Sequence, residues 1–193
     1  MELETIRNLI VIASSAGGIA PLTEVISKLP KGLEAAVIVV QHLSAKKKTS
    51  LPELLNRQAH LEVSLAEDGM ILESGQIYIA EPGKHLLVEG EALAVTVSER
   101  VHYVRPSADL LFVSAAASFE DRVIGIVLSG TGKDGALGCV AIKAKGGVTM
   151  AQDEATARYY GMPQSAIDAN AIDYILSPDD IADKIVRLVK NVE

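Results

Sequence analysis

A chain of 193 residues, 49% of them hydrophobic, can bury one substantial core, and that length argues against two full domains. Eighteen basic against twenty-five acidic residues give a net charge of -7, which excludes a general nucleic-acid or membrane-surface binder because phosphates would on average be repelled. The single Cys139 excludes an internal disulfide, no apolar run approaches the ~18 residues of a membrane span, and the start "MELETIRN" has no signal-peptide pattern, so a cytoplasmic protein is expected.

Short β-rich apolar runs predict strands at 8–13 (NLIVIA), 35–40 (AAVIVV), 61–66 (LEVSLA), 76–80 (QIYIA), 122–128 (RVIGIVL), 147–151 (GVTMA) and 171–176 (AIDYIL). Their apolarity is continuous rather than alternating, as in strands covered on both faces of a parallel sheet. After the first strand, Leu22, Val25, Ile26 and Leu29 recur at helical spacing, so "GGIAPLTEVISKL" reads as a helix with one buried stripe. "SADLLFVSAAASF" and "DGALGCVAIKAK" read as helices in the same way, with Cys139 a packed residue of the second. "PDDIADKIVRLVK" closes the chain with acids in its first turn and bases in its last, as the helix dipole prefers. Glu89-Gly90 between two alternating segments predicts an antiparallel hairpin over 85–97. The expected architecture is α/β: a single doubly wound, mostly parallel sheet with helices on both faces and an appended antiparallel hairpin, spanning 1–193 as one domain.

Ligands of open α/β sheets sit beyond the carboxyl ends of the strands. Three such ends carry polar residues: Ser14-Ser15-Ala16-Gly17-Gly18, Gln41-His42, and Ser129 through Asp134. In the third, Gly130, Gly132 and Gly135 spell G-x-G-x-x-G, with Asp153 about twenty residues on where a ribose-binding acid would stand. Against a dinucleotide, Asp134 would fall at the helix N-terminus and oppose the pyrophosphate there. A second reading makes Asp134 only a helix cap. The serines of the first end are nucleophile candidates on a sharp strand-to-helix turn, or an N-cap; residue 13 is alanine, so the hydrolase elbow G-x-S-x-G is only partly met. Periodicity does not choose between Ser14 and Ser15. His42 alone of the four histidines directly follows an apolar strand, whereas His60, His85 and His102 read as surface or structural. Ser15, His42 and Asp134 thus supply a nucleophile, a base and an orienting carboxylate at three strand ends. No H-x-x-x-H or C-x-x-C spacing supports a metal.

At these sites the chain resembles the catalytic domain of the chemotaxis protein-glutamate methylesterases, the CheB family. "VIASSAGGIAPL", "VIVVQHL" and "VLSGTGKDGALG" are similar to the family's A-S-T-G-G, V-Q-H-M and L-T-G-M-G-x-D-G-A segments. "AEDGMILESGQIYIAEPGKH", "RPSADLLFVSAA" and "AQDEATARYYGMPQSAI" match further segments in the same order. The resemblance implies hydrolysis of glutamate γ-methyl esters on the cytoplasmic helices of chemoreceptors, with glutamine deamidation as a related activity and no cofactor. It implies Ser15 as nucleophile, His42 as general base and Asp134 as the orienting acid. Backbone N–H groups near Ala16 and Gly17 and in the Thr131-Gly132 turn are the candidate oxyanion donors. A non-catalytic module binding receptor helices or a signalling partner is the alternative. Ala16 and Thr131 stand where the family often has threonine and methionine. The first strand is expected within ten residues of Met1, so no receiver domain is expected in 1–193; either regulation comes from a separate receiver-type chain or these residues are a piece of a longer protein. Lys46-Lys47-Lys48, just after His42, reads as a solvated loop, or as a rim contact to acidic receptor helices.

Overall fold

The computed structural model describes residues 6–46 and 48–190, which leaves Lys47 outside the described residues. In chain order the elements are β1 (Asn8–Ser14), α1 (Ile19–Ser27), β2 (Ala35–Gln41), α2 (Leu51–Asn56), β3 (Glu62–Leu65), β4 (Gln76–Ile79), β5 (His85–Glu89), β6 (Ala92–Thr96), α3 (Ala108–Phe119), β7 (Val123–Val127), α4 (Ala136–Ala144), β8 (Val148–Gln152), α5 (Gly161–Asp168), β9 (Tyr174–Leu176) and α6 (Pro178–Lys190). Seven strands form one sheet in the order β3-β4-β2-β1-β7-β8-β9, and every pairing in it is parallel. The remaining two, β5 and β6, make the expected hairpin, with Glu89 opposite Ala92 at its turn.

Continuous apolarity in β1 has the expected cause. Leu9, Val11 and Ala13 face one core together with Leu111 and Phe112 of α3 and Cys139 and Ile142 of α4, while Ile10 and Ile12 face the other with Leu22, Val25 and Ile26 of α1 and Ile181 and Ile185 of α6. Each such side chain fully removed from water contributes about 1.5–3 kcal/mol, so the two-sided burial of the central strands outweighs the weak local preferences of the loops between them. The hairpin docks on α3 through serines: Ser114 Oγ accepts the Val88 N–H at 3.0 Å, and Ser118 Oγ accepts that of Gly90 at 3.2 Å.

Two features, the last strand and a pair of short helices, differ from the sequence expectation. The last strand covers only Tyr174–Leu176, because Ala171 and Asp173 are tied instead by the Thr149 side chain and backbone. Helices α2 and α5 were not legible as periodic segments, being six and eight residues long and carrying prolines near their starts. Chain direction across the sheet reverses between β1 and β7, so the ends of β1, β2 and β7 meet at the switch point.

Candidate active site

Parallel pairing of β1 with β2 runs to Ser14 opposite Gln41, and the next residues, Ser15 and His42, leave the sheet side by side. The His42 N–H donates to the Ser14 carbonyl at 2.9 Å, and the Gln41 side-chain amide donates to the carbonyl of Ser15 at 3.0 Å. A third strand end joins them where the Ser15 N–H donates to the Ser129 carbonyl at 3.0 Å. Ser129 Oγ then donates to the Ala16 carbonyl at 2.8 Å and accepts the Tyr159 N–H at 3.0 Å, while its own N–H is held by Gln152 Oε1 at 2.8 Å. The first loop is thus braced from both neighbouring strands.

The choice between the serines follows from burial. Ser14 has no exposed surface, and its Oγ has no partner among the described residues and lies where a Cβ on Gly18 would clash with it. Ser15 is half-buried and opens on a cavity of about 1050 Å³ that Ala16, Gly17, His42 and Arg158 also line. Gly17 takes a φ of +68°, which turns the chain sharply from β1 into α1. Thr131 and Gly132 are exposed and do not line this cavity. Their turn is drawn toward α5, because Met162 N–H donates to the Gly130 carbonyl at 2.9 Å and Ser165 Oγ to that of Gly132 at 3.2 Å.

His42 Nε2 lies 2.8 Å from Asp134 Oδ2, with the two side chains 12% and 4% exposed. Burial pushes the Asp134 carboxyl up, but the hydrogen bond with His42, the Asp109 and Ala108 amides and the His42 charge together outweigh it, so the group titrates below its ordinary value. An ionised carboxylate can only accept, so Nε2 carries the hydrogen and the imidazole lone pair is assigned to Nδ1. No hydrogen bond joins the Ser15 hydroxyl to the ring among the described residues; the two share a cavity wall.

Asp134 does not cap its own helix. Its Oδ1 accepts from Ser107 Oγ at 2.9 Å and the Asp109 N–H at 3.0 Å, and its Oδ2 accepts the Ala108 N–H at 2.7 Å, all at the N-terminus of α3. With His42, four donors fill the four acceptor positions of the carboxylate. The N-terminus of α4, where a pyrophosphate would sit, is filled by Asp109, whose Oδ1 accepts the N–H groups of Gly135 at 2.9 Å and Gly138 at 2.8 Å. The G-x-G-x-x-G loop therefore offers its amides to a protein carboxylate. Asp153 closes the turn after β8 by accepting from Thr156, rather than facing a ribose.

Two supporting residues escaped sequence reasoning. Ser107 and Asp109 reach Asp134 from 27 and 25 residues away, through a motif, "RPSADLLF", that had been matched only as a segment. His85, fully buried, is structural as expected: its Nδ1 accepts the Ser107 N–H at 3.0 Å, and its Nε2 bonds the Glu99 carbonyl at 2.9 Å. His60 is exposed, and Cys139 is buried with its thiol pushed up by that burial, so it is a packing residue.

A family model described as "CheB methylesterase" matches residues 10–185. A Leptospira interrogans protein described as "putative protein-glutamate methylesterase/protein-glutamine glutaminase" is 38% identical over 183 residues, covering 94% of this chain and 95% of the relative. A Pyrococcus abyssi protein described as "protein-glutamate methylesterase/protein-glutamine glutaminase" is 36% identical over 190 residues, covering 96% of this chain but 52% of its own length. The crystal structure of the Thermotoga maritima CheB methylesterase catalytic domain superposes with a TM-score of 0.89 at 34% identity, covering 94% of this chain and 98% of that one. That structural likeness extends over the doubly wound sheet and its hairpin. The chain belongs to the CheB methylesterase family.

Proposed function

We propose that this chain is a serine hydrolase that removes methyl groups from glutamate γ-methyl esters on the cytoplasmic helices of chemoreceptors, releasing methanol. The observation that carries the reading is the 2.8 Å contact of buried Asp134 with His42, which lines the cavity that Ser15 enters. Ser15 Oγ attacks the ester carbonyl while His42 Nδ1 takes its proton. A rotation of the hydroxyl between staggered wells closes it on the ring once substrate fills the cavity. The proton then passes to the departing methoxide, and water repeats the cycle on the acyl-enzyme. Asp134 holds the imidazole in its tautomer and offsets the charge that the ring acquires.

Ala16 and Gly17, on the cavity wall, supply N–H groups to the developing oxyanion, each worth roughly 3 kcal/mol in the transition state. The Thr131-Gly132 turn would meet substrate only from outside that wall. Deamidation of glutamine uses the same acyl-enzyme with ammonia as leaving group, and the double descriptions of the Leptospira and Pyrococcus relatives favour it as a second activity. Residues 1–193 act in this reading as one catalytic unit.

Incubation with receptor fragments labelled in their ester methyl groups tests the proposal. Labelled methanol should appear with the parent protein and not with Ser15→Ala; equal release from both would discard the nucleophile and with it the mechanism.

A further inference from the structure

His42 is a partition between two cavities. The one on its far side from Ser15, of about 390 Å³, is lined by Lys46, Arg100, Tyr103 and Arg105, and among the described residues no carboxylate contributes to its wall. In a chain of net charge -7, a wall of three cations without an acid is a local reversal of sign. Lys46 and Arg100 are exposed and make no ion pair among the described residues. Arg105 is anchored by Nη1, which donates to the carbonyls of Val97 and Ser98 at 2.8 and 2.6 Å, so its guanidinium is held in place at the wall.

The loop that forms this wall is itself strained. His102 and Tyr103 are consecutive non-glycine residues with φ of +49° and +66°, and the Val101–Val104 bridge pins the turn that holds them there. Such conformations persist only where surrounding structure fixes them, and here they leave the Tyr103 ring 93% exposed at the mouth.

We propose that this cavity is an acidic-residue subsite, which takes a side-chain carboxylate of the substrate polypeptide close to the ester presented to Ser15. The proposal rests on the esterase reading. Residues one turn apart on a helix lie on the same face, so an ester and a carboxylate so spaced can enter the two cavities on either side of His42. Each turnover converts an ester into a carboxylate, so a segment with several esters grows more acidic as it is processed, and the bulk charge of this protein would repel it. The cationic wall offsets that repulsion where the substrate docks and sets the register of the ester.

Three helix-forming peptides test it, each with one glutamyl γ-methyl ester and with glutamate, glutamine or lysine one turn away. For the parent, kcat/KM should favour the glutamate over the glutamine peptide about fivefold, chiefly through KM, with the ratio shrinking at high salt. Arg100→Glu combined with Lys46→Glu should invert the order so that the lysine peptide leads, and damage common to all substrates cancels in these ratios. Equal rates in the parent, or the same order in the double variant, would overturn the subsite. Kd ratios read on protein carrying Ser15→Ala separate the two proposals. If the parent cleaves none of the peptides yet Kd still follows their charge, the esterase reading falls and the subsite stands; Kd values independent of charge remove the subsite.

Discussion

Asp134 and Asp109 exchange helices. The carboxylate of Asp134, at the approach to α4, receives the first amides of α3, and the carboxylate of Asp109, in the first turn of α3, receives the Gly135 and Gly138 amides at the start of α4. Each acid thereby stabilises the positive end of the other's helix, and His42 is oriented by a group that this exchange immobilises. Asp134→Ala leaves three α3 donors buried and should lower unfolding free energy in urea by about 2–4 kcal/mol. Asp134→Asn keeps acceptors for the amides and should lose clearly less. A loss for Asp134→Ala no larger than that of a surface substitution would remove the exchange from the stability of the fold.

Acid titrates the pair in opposite directions. The Asp134 value is depressed, so its ionised form contributes stability above the ordinary carboxylate range, and that contribution is lost as pH falls through the lower folded value. Asp109 is pushed up, first by burial and then by the Asp134 charge, which exceed the opposing amides of Gly138 and Gly135 and His102. Its neutral form is therefore favoured, and the stability associated with it is lost as pH rises through the raised value. Melting temperatures of the parent and Asp134→Asn should differ most near neutrality and converge below about pH 4. The gap between the parent and Asp109→Asn should move the other way, with the parent gaining on its variant as pH falls through the raised Asp109 value. A parent-to-Asp134→Asn gap that widens in acid contradicts the sign given for Asp134.

On the proposed mechanism Ser15, His42 and Asp134 should contribute unequally to turnover. Ser15→Ala and His42→Ala are each expected to lower kcat on a methyl-ester substrate by about 10⁴-fold or more, and Asp134→Ala by less, because the orienting acid is the least costly member to lose. Single-turnover kinetics on folded variants measure this. A Ser14→Ala loss as large as that of Ser15→Ala would assign the nucleophile wrongly.

Ser129 is a positioning residue, since its hydroxyl joins Ala16 and Tyr159 while its carbonyl holds Ser15. Ser129→Ala should cost about 1–2 kcal/mol of stability and lower kcat roughly tenfold with little change in KM. A change confined to melting temperature would make the brace purely structural.

Much of this was legible in the chain because β1 and β2 are buried on both faces and end abruptly in polar residues. Those endings located Ser15 and His42, and neighbouring strands placed them together. The role of Asp134 was only half legible. Its loop suggested a cap for the helix that follows, whereas its hydrogen bonds run to a helix some 25 residues earlier, and local spacing carries no trace of how two helices pack. Ser107 and Asp109 were missed for the same reason. Thr131 and Gly132 were expected at the cavity and lie off it, because the loop is pulled toward α5, a helix whose short span gave no periodic signal. Dinucleotide spacing misled through the same loop: the glycines permit close approach of a backbone, and the anion that approaches belongs to the chain itself.

The acid nearest the imidazole is also a clasp between two helices, so removing its side chain disturbs both at once. A copy with no use for the imidazole would still need an acceptor there for the first amides of α3. An acceptor kept at that position in another copy of this architecture therefore reports first on how two helices are joined, and by itself says little about chemistry at the cavity.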